Sequence, residues 1–150
     1  MQPDRCYPIG LDYAWLATDA EGHVARFTNA GQGPIPKAVL ADRRASDQAE
    51  ALTMALPERG DSLMLVAMPR PDDFVAVACR GLFAYDWQDA HRQAGRIHRY
   101  ELISRPTVPV TVEELVGELA TLIGKVKFRS IRFAESPAIA VDDHGECHSE

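Results

Sequence analysis

The sequence predicts an α+β fold: a single domain over residues 1–150, with a mainly antiparallel sheet and helices packed against it. Three observations point there. Residues 12–18 and 23–28 each place apolar or aromatic side chains at alternate positions and flank Asp19-Ala-Glu-Gly22, a pattern that suits a hairpin of half-buried strands. Thr111-Val-Glu-Glu114 has the form of a capping box, and Leu115, Leu119, Leu122, Ile123 and Val126 follow it at helical spacing. The chain has 150 residues and no linker long enough to divide it, so one core is expected, with residues 10–135 ordered.

After the hairpin, Pro34 and Pro36 suit a loop entering a short helix over 37–41, because the first helical turn has no use for the missing proline N–H. Ser46 is placed to cap a helix over 47–56, with Ala49, Leu52, Ala55 and Leu56 on its apolar face and Pro57 and Gly60 ending it. Residues 62–68 form an apolar run bounded by Gly60-Asp61 and Pro69, which reads as a central strand buried on both faces. Residues 74–79 have strand-like side chains, but Asp72 or Asp73 ahead resembles an N-cap and Gly81 behind resembles a C′ glycine, so the expectation is a short helix. Residues 82–85 predict a strand, Asp86 a cap for a brief helical turn over 87–93, residues 99–105 another strand, and residues 130–134 a last alternating strand that closes the sheet. From Ala138 onward the residues become small and polar, and 143–150 are expected to fray as a tail.

Composition narrows the function classes. Hydrophobic residues make up 46% and charged residues 25%, an ordinary balance for a folded soluble domain. A net charge of -6 argues against direct nucleic-acid binding, which calls for a basic face. The three cysteines, Cys6, Cys79 and Cys147, are odd in number and widely spaced, which indicates neither a disulfide framework nor a zinc knuckle. The N-terminus lacks an apolar signal core and no stretch reaches the roughly 18 apolar residues of a membrane span. A cytoplasmic protein with no membrane contact is expected.

No catalytic signature emerges. Gly31-Gln-Gly33 lacks the third glycine of a dinucleotide fingerprint, and Pro34 and Pro36 remove backbone donors an anion would use. Asp142, Asp143, His144, Cys147 and His148 could each ligate a metal, but a terminal, glycine-containing segment offers little scaffold to orient them. His91 and His98 lie in a locally basic stretch near Asp86 and Asp89, where an imidazole could do acid–base work, yet nothing supplies the rest of an active site. The expectation is no enzyme, no cofactor and no metal. Tyr13, Trp15, Phe27, Phe83, Tyr85 and Trp87 are expected in the core.

One resemblance adds a function. The Trp15-bearing strand, the Asp19-Ala-Glu-Gly-His23 turn and the Gly31-Gln-Gly-Pro-Ile-Pro36 loop occur together in small bacterial immunity-type proteins encoded beside polymorphic or contact-delivered toxins. Arg70-Pro-Asp-Asp-Phe74, Gly81-Leu-Phe-Ala-Tyr-Asp-Trp87 and the stretch Pro106 to Pro109 fit the same pattern, so the resemblance covers most of residues 10–135 through motifs of structural type. It implies a non-catalytic protein of interbacterial competition that neutralises a cognate toxin by occluding its active site. A nuclease or another enzyme with a basic cleft would suit the negative charge. The partner-binding candidates are then the carboxylates Asp72, Asp73, Asp86, Asp89, Glu113 and Glu114, although their places at loop ends and helix starts also suit caps and helix-dipole partners. The alternatives are a small enzyme built around His91, His98 and nearby carboxylates, and a regulatory homodimer joined through a sheet edge.

Overall fold

In the computed structural model, which describes residues 11–92, 94–141 and 147–148, the expected hairpin opens the fold. Strands β1 (Ala14–Thr18) and β2 (Val24–Thr28) run antiparallel, with Trp15 opposite Phe27. Asp19 ties the turn: its Oδ1 accepts the N–H groups of Glu21 and His23 at 2.9 Å each, and Gly22 takes a φ of 81° that a side chain would resist. The other carboxylate oxygen of Asp19 accepts the Phe133 N–H at 2.8 Å and so fastens the hairpin tip to the far end of the chain.

The Gly/Pro loop leads through β3 (Ile35–Pro36) into α1 (Lys37–Leu40), as the prolines suggest. The helix expected over 47–56 appears, shortened, as α3 (Ala49–Met54), and a separate helical turn, α2 (Arg43–Ser46), precedes it. Ser46 caps neither. Asp42 caps α2 by accepting the Ala45 N–H, while the Ser46 hydroxyl is buried and donates to the Val39 carbonyl at 3.1 Å. Ala55 stays exposed and Thr53 takes the inward position.

The apolar run 62–68 forms only a short strand, β4 (Ser62–Met64), and it lies at the sheet edge beside β6 rather than in the centre. Leu63 and Leu65 remain about half exposed, so the run is half-buried on one face and exposed on the other. A short apolar segment does not announce its own position in a sheet; the partner strands assign it. Residues 72–79 form the expected short helix, α4 (Asp72–Cys79), closed by Gly81 at a φ of 100°. Pro71 occupies the N-cap, and Asp72 and Asp73 sit in the first turn, where carboxylates favour the helix dipole.

Strand β5 (Phe83–Asp86) then pairs in parallel with β2, and β6 (Tyr100–Pro106) pairs antiparallel with β5. Asp86 is the last strand residue rather than a helix cap, and the 3-10 turn Gln88–His91 starts after Trp87. Glu114 accepts the Thr111 N–H at 3.0 Å, as a capping box requires, but the box closes one 3-10 turn, Val112–Glu114. The chain extends again at Leu115 and Val116 before α5 (Gly117–Ile123) begins, and Leu119, Leu122 and Ile123 form its buried face as the spacing predicts.

Residues 130–134 do not close the sheet. Ile131 and Phe133 point inward, but Asp19 and Ala20 take up backbone groups of this segment, which ends in a 3-10 turn, Phe133–Glu135. Alternating burial here comes without a ladder. Strand β7 (Ala138–Ile139) pairs instead with the start of β6, opposite Tyr100 and Glu101. Within the expected tail 143–150, Cys147–His148 form β8, antiparallel to β3; the rest of that segment lies outside the described residues, as do Asp142 and Cys6.

The outcome is an α+β fold whose main sheet has the order β1-β2-β5-β6-β4, antiparallel except at β2–β5. One face carries an aromatic core around Trp15, Phe27, Phe83, Tyr85 and Tyr100, covered by residues 126–141 and by Ile35, Val39 and Leu40. The other face packs Leu16, Val24 and Ala84 against Ala49, Val77, Leu119 and Ile123 of the helices.

Candidate ligand-binding cleft

The helix face stops being apolar where the parallel strands end. Along β2, Ala25 and Phe27 enter the aromatic core, while Arg26 and Thr28 point to the helix side; along β5, Asp86 follows Ala84 on that side. Parallel pairing sets Thr28 beside Asp86 at the carboxyl ends of both strands. Ligands of open α/β sheets settle at such a crevice, because the crossover helices leave it uncovered. Here the crossover is the segment of α1 to α4, and two adjoining hollows open above the strand ends, of about 740 and 460 Å³. Both are lined by Asp12 and Phe74, so they form one cleft divided by the Phe74 ring.

The larger hollow combines apolar walls from Ala30, Met68 and Pro69 with the polar groups of Arg70, Asp86, Gln88 and His91. Asp86 is buried; Thr28 Oγ1 donates to its Oδ1 at 2.5 Å, and Gln88 Nε2 donates to its other oxygen. Burial pushes the Asp86 carboxyl above the ordinary carboxylate pKa, the nearby Asp12 charge adds to the effect, and the two hydrogen bonds and His91 oppose it.

The smaller hollow is lined by Tyr13, Arg26, Asp47, Glu50 and Asp73 in addition to the shared pair. Arg26 is only 2% exposed; its Nη1 binds both oxygens of Glu50, at 3.2 and 3.0 Å, and its guanidinium lies over the Phe74 ring at 5.6 Å. Its Nε has no acceptor among the described residues. Asp47 accepts the Tyr13 hydroxyl at 3.0 Å and meets Arg43 at 3.6 Å. Glu50 and Asp47 are therefore matched to cations. Asp12, Asp73 and Asp86 have no ion pair among the described residues, and Asp12 is engaged only with the Ala30 N–H.

Of the carboxylates singled out from the sequence, the fold brings Asp73 and Asp86 to the cleft. Asp72 lies exposed in the first turn of α4, outside the cleft lining. Asp89 is buried in a structural role: burial disfavours its charge, but the Ile97 and His98 N–H groups, at 3.0 and 2.7 Å, with help from His98 and Arg92, hold its pKa below the usual range. Glu114 is occupied by the Thr111 amide and by Arg59 at 3.0 Å, and Glu113 is exposed beside it. His98 stands over Asp89 rather than at the cleft, so only His91 of the two histidines reaches it. The sequence reading missed Asp12, Asp47 and Glu50, and it missed Arg26 and Thr28 because alternate polar residues on a strand read as its solvent face. The one available signal was Asp47 and Glu50 at i, i+3 within the helix expected over 47–56.

The hairpin turn offers a second cluster, in which Asp19, Glu21 and His23 each bring one ligand-type atom within 4.8 Å of the others. Asp19 already accepts three backbone N–H groups, which gives the turn a structural explanation. The Gly31–Pro36 loop is structural too: a Cβ at Gly33 would lie 2.8 Å from the Trp87 ring, and the Pro34 carbonyl accepts the Tyr100 hydroxyl at 2.7 Å. No helix among the described residues is long and apolar enough to cross a membrane. No family model, curated protein or solved structure matches this chain.

Proposed function

We propose that this chain is a non-catalytic, cytoplasmic immunity protein that binds a cognate toxin and neutralises it by occluding its active site, with the acidic cleft at the centre of the contact. The observation that carries the reading is the acidity of that cleft: Asp12, Asp73 and Asp86 come from three separate segments and make no ion pair among the described residues, and Arg70 is the cation that lines the larger hollow with them. The toxin itself comes from the resemblance of the hairpin and its Gly/Pro loop to immunity-type proteins. A standard interface of roughly 1,600 Å² would extend well beyond the cleft onto the surrounding rim. With a net charge of -6, association with a basic enzyme such as a nuclease would be electrostatically steered and would slow as salt is added.

The test is co-expression with the protein encoded immediately upstream. Rescue of that protein's toxicity, together with co-elution on size exclusion, is the expected result; a harmless neighbour that forms no complex would overturn the reading. The enzyme alternative has one observation in its favour, the buried Asp86 carboxyl sharing a cleft with His91. It requires His91→Ala to abolish protection, whereas the binding protein keeps protection in that variant.

A further inference from the structure

We propose that β4 joins β4 of a second copy of this chain, antiparallel and about a twofold axis at Met64, so that the two main sheets continue into one. This surface is separate from the question of what binds the cleft and does not depend on a toxin. Residues 62–68, Ser-Leu-Met-Leu-Val-Ala-Met, contain no charge and no proline, the residues with which natural edge strands block pairing. The fold leaves this run at the end of the strand order, with no strand beyond it among the described residues. The other borders differ: the β1 edge takes the 126–128 segment at Thr18, whose N–H and carbonyl bond Val126 and Phe128, and the start of β6 takes β7.

Backbone register shows which groups β4 leaves over. The Asp61 carbonyl accepts the Thr107 N–H at 3.0 Å, and the Leu65 N–H donates to the Ile103 carbonyl at 2.8 Å. Odd-numbered residues therefore turn their main-chain groups to β6, and those of Ser62, Met64 and Val66 face outward. Three features select a second copy as their partner. With the axis at Met64, Met64 meets itself and Ser62 meets Val66, so every outward-facing group lies at a hydrogen-bonded position of the new ladder. The same register sets Leu63 of each copy opposite Leu65 of the other at non-hydrogen-bonded positions, where side chains approach most closely. In the single chain these two leucines are 50% and 51% exposed, and the pairing closes four of them over one another. Charge then fixes the direction: Asp61 precedes the run and Arg70 follows it, both exposed, and antiparallel pairing carries the acidic end of each copy to the basic end of the other. A slip of one residue would put the leucines of the two copies on opposite faces of the sheet.

The experiment is analytical ultracentrifugation of the full chain alone, across a dilution series, joined to amide hydrogen exchange at its two ends. The mass should rise from 16.5 kDa toward twice that value with a Kd on the order of 10–100 μM, as suits an interface at the small end of the range. Leu63→Lys and Leu65→Lys, both at half-exposed positions, should each keep the parent melting temperature and weaken the dimer at least about tenfold, because each would bury an unpaired ammonium. Asp61→Arg and Arg70→Asp should each weaken it about threefold, and the two together should restore it. Hydrogen exchange needs no substitution: the Ser62, Met64 and Val66 amides should gain protection with concentration, while the Leu65 amide, already bonded to β6, is protected throughout. A chain that stays at 16.5 kDa at every concentration, or lysine variants that dimerise like the parent, overturns the proposal. A charge exchange that fails to restore association overturns the antiparallel orientation. Protection at Ser62, Met64 and Val66 that is the same at every concentration assigns the edge to another part of the same chain and removes the second copy.

Discussion

The two faces of the sheet are built by the same strands and hold opposite chemistry. On one face Phe27 stacks on Trp15 at 4.2 Å and on Tyr85 at 4.9 Å, and Tyr100, Phe128 and Phe133 close around them edge-on or tilted. Their polar atoms are spent internally: Trp15 Nε1 donates to the Tyr100 hydroxyl, and the Tyr85 hydroxyl donates to the Ser136 carbonyl at 2.6 Å. On the other face, one residue further along each strand, Arg26, Thr28, Asp86 and Ser104 are equally buried but polar. A bulge in β6 helps: the register shifts between Ala84 and Tyr85, which turns Ser104 toward α4, where it donates to the Phe74 carbonyl at 2.8 Å. The comparison teaches that burial is not the distinction between scaffold and site here. The aromatic face spends the polar atoms of Trp15, Tyr85 and Tyr100 internally, and the helix face ends in a cleft where Asp12, Asp73 and Asp86 make no ion pair among the described residues.

That contrast can be broken in order of expected effect. Phe27→Ala removes the ring at the centre of the aromatic face and should cost about 3–5 kcal/mol, read as a drop in the urea midpoint. Gly33→Ala should be the next largest: a methyl group 2.8 Å from Trp87 and 2.9 Å from the Tyr100 hydroxyl overpacks a filled core, at about 1–3 kcal/mol in thermal unfolding. A loss below about 0.5 kcal/mol would show that the loop can move away from the sheet and that the scaffold face is softer than argued.

Two aspartates three residues apart sharpen the same comparison through pH. Asp89 is held ionised by backbone donors, so its contribution is present above the unfolded-state pKa and is lost as pH falls through its lowered folded value. Asp89→Asn should destabilise by about 1–2 kcal/mol at neutral pH, and the difference from the parent should shrink on acidification. Asp86 has the opposite sign. Its folded pKa is raised by burial, so its contribution is full below the unfolded-state value and is lost as pH rises through the folded value. Asp86→Asn should therefore raise the melting temperature slightly near neutral pH and leave it unchanged at pH values where both states are protonated. A melting temperature that falls at neutral pH would show that the charged carboxylate is held for stability and not for a ligand.

Much of the scaffold was legible because its signals are local. The Trp15–Phe27 hairpin, the α4 helix ending at Gly81 and the buried face of α5 each follow from period, turn chemistry or capping within a few residues. The misreadings share a cause. Residues 62–68 and 130–134 carry strand-like patterns, but pairing was decided elsewhere: β4 lies at an edge, and Asp19 accepts the Phe133 amide that a ladder would use. Ser46 is a good cap by type, and burial redirected its hydroxyl to Val39.

The sequence by itself determined the α+β class, the position of the first hairpin and part of the aromatic core, from Tyr13, Trp15 and Phe27 to Phe83, Tyr85 and Trp87, since apolar periodicity dictates which side chains leave water, whereas Tyr100, Phe128 and Phe133 joined that core only in the folded chain. Only the tertiary structure decided the cleft. Asp12, Thr28, Asp73 and Asp86 are far apart along the chain, and no spacing links them; they meet because β2 and β5 pair in parallel and the crossover carries α4 over their ends. Parallel pairing is a non-local choice whose register depends on every layer packed upon it, so a site built at its end cannot be read before the layers are in place.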